Sequence, residues 1–177
     1  MGGVAPRTLM DGLLSGLAHP VIGLDHLAFL VGAGLLAAMF STRGALAAIA
    51  LFVAAGMAGT LLHLAGIGLG PVEAVVALTC VAAGVALLRS EAGALKPGLI
   101  GLGFALAGLF HGHAYAESVV GAEPTPVAGY LVGLALVQFA LAGAVAFFAR
   151  DAVRVRRLGG AAVAAVGALA LALAVVA

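Results

Sequence analysis

The sequence predicts an all-α, polytopic membrane protein: a compact bundle of six transmembrane helices with a broken or short helical segment before the first span. Of its 177 residues, 64% are hydrophobic and only 8% are charged, and this composition excludes an ordinary soluble domain. The apolar runs do not alternate with polar residues as barrel strands do, so the backbone must satisfy its hydrogen bonds in lipid as helices. The runs leave room only for short loops, and we therefore expect a single transmembrane domain over residues 1–177.

Six segments reach the length of about 20 apolar residues that a helix needs to span a bilayer. They cover residues 21–41, 44–65, 71–89, 97–118, 126–148 and 158–177. Upstream of the first, residues 8–18 form an apolar stretch that is too short to span. Pro20 lacks an N–H group and Gly23 loosens the backbone, so a break is expected between His19 and Gly23.

Small residues set the packing surfaces that we expect between these helices. Glycines four residues apart let helix backbones approach closely in lipid. The sequence has this spacing at Gly12 and Gly16, at Gly108 and Gly112, and at Gly129 and Gly133. Cys80 lies within the third span and is interpreted as a small core residue, with a role as thiolate ligand as the alternative.

The basic residues predict the orientation in the membrane. Seven of the eight lie in or beside the first, third and fifth loops, and Arg7 is the exception: Arg43, Arg89, Lys96, Arg150, Arg154, Arg156 and Arg157. The positive-inside rule then places these loops in the cytoplasm and both termini on the periplasmic side of the inner membrane. The net charge of +1 gives no support for a nucleic-acid partner.

All five histidines fall in three short stretches, each of which adjoins the predicted outer end of a span. Ionisable side chains are costly in lipid and indicate functional sites, and imidazole with carboxylate is a ligand set for borderline divalent metals. The predicted metal ligands are His19, Asp25, His26, His63, His111, His113 and Glu117.

The stretch HPVIGLDH carries His19, Asp25 and His26 at the predicted helix break. Broken helices in membranes often hold ions, and this favours a metal site. The alternative is structural: Asp25 near the first turn of the span serves as a helix cap, and His26 lies at the interface.

The stretch FHGHAYAE leaves two arrangements open. On an ideal helix His111 and His113 point about 200° apart, so they cannot share a site without distortion. Either Gly112 breaks the helix and brings the histidines together, or His113 and Glu117, four residues apart, form the site while His111 plays another part. His63 has less support from its surroundings and is included because of its predicted depth.

HPVIGLDHLAFLVGAG followed by FHGHAYAES resembles the HupE/UreJ family, small membrane proteins associated with hydrogenase and urease gene clusters. The resemblance extends over the whole chain and implies a permease for nickel, alternatively cobalt, with hydrogenase or urease maturation proteins as partners. Members of this family begin with a signal peptide. The segment MGGVAPRTLMDG is too short and polar to be one, and we expect a cleaved leader in the native protein.

The predicted function is therefore uptake of a divalent metal ion, Ni²⁺ or else Co²⁺ or Zn²⁺, across the inner membrane, without enzymatic activity or a catalytic cofactor. Two alternatives remain from the residues alone. One is an intramembrane zinc hydrolase with Glu117 as general base, and the other is an accessory protein that binds nickel without moving it. The sequence contains no nucleophile elbow, HExxH motif or phosphate loop.

Overall fold

The computed structural model of the protein describes residues 5–89 and 96–176, and every regular element in these ranges is helical. The α-helices in them are α1 (Leu9–Ile22), α2 (Leu24–Ala37), α3 (Thr42–Leu64), α4 (Val72–Arg89), α5 (Pro97–Tyr115), α6 (Pro124–Phe148) and α7 (Val153–Val176). A 3-10 helix, Ala116–Val119, follows α5 directly. The five helices from α3 to α7 are long and apolar enough to cross a membrane, which confirms the predicted all-α polytopic class.

The first span differs from its predicted form. α1 and α2 are separate helices of 14 residues each that meet at an angle of 81°. At 1.5 Å per residue each is about 21 Å long, short of the hydrocarbon core of about 30 Å. The chain tolerates Pro20 within α1 and breaks only at Gly23, whose φ of −74° and ψ of 112° are extended. A full span over residues 21–41 is thus replaced by two half-length helices.

The bent pair runs beside α6 from one end of that helix to the other. Gly12 on α1 contacts the backbone of Pro126 near the start of α6, and Gly34 on α2 contacts Ala142 near its end. α2 also packs against α4 and α7, and ten of its fourteen residues are buried. The pair therefore has the extent of one broken span, and α2 carries its residues into the centre of the bundle.

Glycine contacts hold the helix pairs together, as the spacing predicted. α1 packs along α6 and α3 packs along α5. A Cβ atom added at any of the six predicted glycines would lie only 1.9–2.3 Å from a backbone oxygen of the neighbouring helix. The packing role of these motifs is confirmed, and Gly112 is the closest case, with Gly56 O at 1.9 Å.

The predicted fifth loop contacts the start of α3, next to the predicted first loop, at one end of the bundle. The Arg150 guanidinium donates a hydrogen bond of 2.8 Å to the Thr42 hydroxyl at the start of α3. The buried Arg156 donates to the carbonyl oxygens of Ala149 and Arg150. Residues 90–95 of the predicted third loop lie outside the described residues.

Candidate metal site

The five histidines come together around the end of α5. His19 contacts Ser118 and Tyr115, and His26 contacts His111. His63 contacts His113. Residues of α5 and of the 3-10 helix after it therefore contact the histidines of the other two stretches. The contacts include two separate imidazole pairs.

The buried pair consists of His26 on α2 and His111 on α5. Their Nδ1 atoms lie 3.0 Å apart, and His111 is completely buried while His26 is 7% exposed. Phe29, with its ring centroid 4.4 Å from that of His111, and Tyr115, 4.3 Å from His26, pack on the two rings. The pair thus lies in a mostly apolar environment, where an uncompensated polar group would be costly.

Thr79 determines which nitrogen of His111 carries the proton. Its hydroxyl lies 2.7 Å from the Val76 carbonyl oxygen and 3.0 Å from His111 Nε2. The shorter contact favours donation of its single proton to Val76, and the hydroxyl oxygen then accepts from an Nε2–H of His111. The Nδ1 lone pair of His111 is consequently directed at His26, as in a metal-ligating histidine whose other nitrogen is held by a hydrogen-bond partner.

A cavity of about 850 Å³ opens beside the buried pair. His26 lines it, together with His19, Asp25, Glu73 and Glu117. Asp11 and Arg7 add to its charged lining, so among the described residues four carboxylates face one guanidinium. This excess of negative charge attracts cations into the cavity and raises their local concentration.

Asp25 lies in the first turn of α2 and also lines the cavity. Its Oδ1 accepts a hydrogen bond of 2.9 Å from the backbone N–H of His26, a local bond at the start of α2. The same side chain lines the cavity next to His26. The contact therefore agrees with the helix-cap interpretation without removing the carboxylate from the candidate site.

His19 lies beside this site and is tied to the end of α5. Its Nδ1 is within hydrogen-bond distance of the Ser118 hydroxyl, and its ring centroid is 6.0 Å from that of His26. The Tyr130 hydroxyl donates to the Tyr115 carbonyl oxygen at 2.7 Å and fixes the backbone that carries Ser118. The cavity wall is therefore built from α1, α2, the start of α4 and the 3-10 helix.

The rim pair consists of His63 at the end of α3 and His113 on α5. Their Nδ1 atoms are 3.2 Å apart, and their ring centroids are 4.4 Å apart. His113 Nε2 lies 2.9 Å from the carbonyl oxygen of Ile67. Neither histidine is among the described residues that line the cavity, so the rim pair is separate from the acidic site.

Neither arrangement considered for FHGHAYAE matches the structure. α5 continues through Gly112 without a break, and His111 and His113 therefore point in different directions. The α-helix ends at Tyr115, and Glu117 lies on the 3-10 helix and faces the cavity rather than the rim pair. The single cluster expected from the sequence is divided into two pairs.

The structure brings the described nitrogen donors together in pairs and not in larger groups. Within residues 5–89 and 96–176, no three side chains of His, Cys, Asp or Glu converge closely enough to hold an ion. Each pair nevertheless offers two nitrogens at the separation of neighbouring ligands around a metal. With metal–nitrogen bonds of about 2.0–2.1 Å, that separation is about 2.9 Å for square-planar or octahedral geometry and about 3.3 Å for tetrahedral geometry. Water or a shift of Asp25 would complete the coordination.

Two polar groups near the buried pair lack partners. The Tyr115 hydroxyl and the Gln138 amide nitrogen are buried, and among the described residues neither meets a partner in strict hydrogen-bond geometry, although the two side chains lie close to each other. Gln138 lies on α6 and is 1% exposed. An unpartnered buried polar group costs about 1–3 kcal/mol, so these atoms are candidates for contact with a ligand or water.

Some functional contacts were missed by sequence reasoning. Thr79 is a polar residue within an apolar span, and nothing in the sequence indicates that its hydroxyl contacts His111. Ser118 and Tyr115 adjoin the predicted ligands, and that proximity was the available signal. Cys80 lies in the core, and its thiol donates to the Asp25 carbonyl oxygen at 3.3 Å, so it supports the backbone of the site.

The comparisons with known proteins agree with the resemblance. The profile of the family described as HupE / UreJ protein matches residues 4–173. Protein HupE of Rhizobium leguminosarum bv. viciae is 33% identical over 173 residues, which cover 91% of this chain and 85% of that protein. No solved structure matches the chain significantly.

Proposed function

The chain belongs to the HupE/UreJ family, and from this premise we propose that it is a permease that takes up Ni²⁺, or alternatively Co²⁺, across the inner membrane. The observation that carries the proposal is the buried pair beside an acidic cavity. His26 lines the cavity, and the bare Nδ1 of His111 lies directly behind it. An ion that enters the cavity therefore meets two nitrogens in succession.

The two parts of the site divide the work of selection. The carboxylates of Asp11, Asp25, Glu73 and Glu117 attract any cation, because their attraction depends mainly on charge. The imidazoles of His26 and His111 favour nickel, cobalt or zinc over magnesium and calcium, which prefer oxygen ligands. The buried pair thus provides the selectivity for borderline metals, and the cavity raises the local concentration of cations.

An incompletely coordinated site suits transport. A transported ion must bind tightly enough to shed water and weakly enough to leave. The two nitrogens hold the ion at the inner wall of the cavity, and the unpartnered atoms of Tyr115 and Gln138 provide the next polar groups along the bundle. We propose that the ion moves from the buried pair past these two side chains.

The orientation follows from the same proposal. If α1 and α2 together form one broken span, the chain crosses the membrane six times and both termini lie in the periplasm. The cavity, lined by residues of α1 and by Glu117, then opens outward, and the basic end around Arg150 faces the cytoplasm. Ions taken up would become available for hydrogenase or urease maturation proteins.

Uptake into sealed vesicles tests this function directly. Vesicles that contain the purified protein are given radioactive ⁶³Ni²⁺ outside, and the lumenal and membrane-bound ions are then separated by rapid filtration with a chelator wash. The permease hypothesis predicts chelator-resistant accumulation that an ionophore releases. An accessory binding protein would hold nickel only at the membrane, and a zinc hydrolase would not accumulate it either. Either result would contradict the proposal.

A further inference from the structure

We propose that the rim pair of His63 and His113 binds a second divalent metal ion, separate from the ion of the buried pair. The proposal does not require transport, because it concerns only where ions bind. It rests on three features of the structure: the protonation of His113, the distance between the two Nδ1 atoms, and the position of the rim pair outside the acidic cavity.

The Ile67 carbonyl fixes the protonation of His113. A carbonyl oxygen can only accept, so His113 carries its proton on Nε2 and donates it to Ile67 O at 2.9 Å. The Nδ1 atom is left with a lone pair that points at His63. Metal-ligating histidines are typically held in this way, with the remote N–H bound to a carbonyl or carboxylate.

The end of α3 is built to place that carbonyl. Gly66 has a φ of 77°, a left-handed conformation that glycine adopts without strain. Its N–H donates to His63 O and the N–H of Ile67 donates to Leu62 O, which together form a Schellman motif. The turn that ends α3 after His63 therefore also directs the Ile67 carbonyl toward His113.

The geometry of the pair accommodates a metal ion with little movement. The Nδ1 atoms are 3.2 Å apart, between the values of about 2.9 and 3.3 Å expected for neighbouring nitrogen ligands. His63 is half-buried, so its proton can move to Nε2 and bond water when Nδ1 binds the metal. Water can fill the remaining coordination positions at this partly exposed location.

The two pairs cannot share an ion. His111 and His113 lie two residues apart on an unbroken helix and therefore point about 200° apart around its axis. The rim pair is absent from the described lining of the acidic cavity, whereas His26 belongs to it. An ion at the rim pair is consequently a second ion. Its protein ligands would be imidazoles, which suit nickel, cobalt or zinc, and it would have no carboxylate ligand from the acidic cavity.

Binding stoichiometry tests the inference. The full-length protein in detergent micelles is equilibrated with Ni²⁺ by dialysis, and bound nickel is counted per chain. We expect two ions for the unmodified protein, one for His63→Ala, one for His26→Ala and none for the double variant. Leu61→Ala, an exposed neighbour on α3, is the matched control and should still bind two ions.

One bound ion per chain that is retained in His63→Ala and lost in His26→Ala would overturn the inference. So would two ions in His63→Ala, or the loss of both ions in either single variant, since the pairs would then act as one site. Circular dichroism and gel filtration verify folding, and His63→Gln replaces His63→Ala if the latter unfolds. One ion that is lost in His63→Ala and retained in His26→Ala would support the rim pair and count against the buried pair, so failure of the proposed transport site and failure of this inference give different results.

Discussion

The buried pair and the rim pair use the same chemistry in two different environments. In each, a histidine of α5 is held through its Nε2 proton, and its Nδ1 faces the Nδ1 of a histidine from another helix. The acceptor is a threonine hydroxyl for His111 and a backbone carbonyl for His113. The difference lies in the surroundings, since only the buried pair adjoins the acidic cavity.

This difference shows that a histidine pair alone does not define a transport site. The carboxylates attract cations into a hydrated cavity. Burial of the histidine pair makes binding selective, because an ion that the two imidazoles coordinate poorly is not stable in an apolar environment. The rim pair lacks the carboxylates, and although His113 is buried, its partner His63 is only half-buried, so the rim pair suits static binding. Variants that affect both pairs, one pair or only the cavity should therefore produce effects of decreasing size.

The largest effect is expected from Gly112→Ala, because Gly112 lies between the two α5 histidines. Its new Cβ atom would lie 1.9 Å from Gly56 O, so α3 and α5 would have to separate. Overpacking typically costs about 1–3 kcal/mol or more, and both pairs depend on this contact. We expect a lower melting temperature and loss of both bound nickel ions. Gly103→Ala on the same helix has open space and should behave like the unmodified protein.

Thr79→Val should affect the buried pair alone. The variant keeps the shape of the side chain and removes the oxygen that accepts from His111 Nε2. Loss of such a partner typically lowers metal affinity about 10–100-fold, and calorimetric titration with Ni²⁺ would measure the decrease. Thr79→Ser retains the hydroxyl and should restore most of the affinity. Equal weakening in both variants would indicate a packing role for Thr79 instead.

Gln138→Leu should separate binding from movement. The Gln138 side chain is buried on α6 with an unpartnered amide nitrogen, and we place it along the path after the buried pair. Leucine removes the polar group at similar volume, so we expect vesicle uptake to decrease several-fold while nickel affinity is retained. Unchanged uptake would exclude this residue from the path, and a parallel loss of affinity would assign it to the binding site.

The smallest effect is expected from Glu117→Gln. This exposed carboxylate lines the cavity, and its attraction for cations acts through solvent. The initial rate of uptake at low salt should decrease modestly, and the difference from the unmodified protein should shrink in 0.5 M NaCl. A complete loss of uptake at every salt concentration would instead make Glu117 a direct ligand.

Much of the architecture could be predicted because hydropathy and glycine spacing act locally along the chain. The apolar runs predicted the helices, and Gly12, Gly16, Gly129 and Gly133 predicted close contacts that the structure confirms between α1 and α6. A break near Gly23 was expected, but the short length of α2 was not. An apolar run does not reveal that the helix axis turns by 81° at the break, so residues 21–41 were expected to form a full span.

The arrangement of the site could be predicted only in part, because it depends on contacts between distant helices. Gly112 was compatible with a helix break or with close packing, and its contact with Gly56 on α3 decides for packing. That outcome sends His111 toward α2 and His113 toward α3. The proton positions depend on Thr79 and Ile67, whose neighbours in space cannot be known from sequence spacing.

Nickel uptake by Asp25→Asn in sealed vesicles shows whether the carboxylate beside the buried pair is required for transport. Asparagine keeps an oxygen that can accept from the His26 N–H, so the local bond at the start of α2 remains while the negative charge is removed. The matched control is Glu123→Gln, an exposed carboxylate at the start of α6 that is not among the described residues lining the cavity. We predict that Asp25→Asn lowers uptake to the level of protein-free vesicles and that Glu123→Gln transports normally. Normal uptake by Asp25→Asn would contradict the account and leave Asp25 as a helix cap.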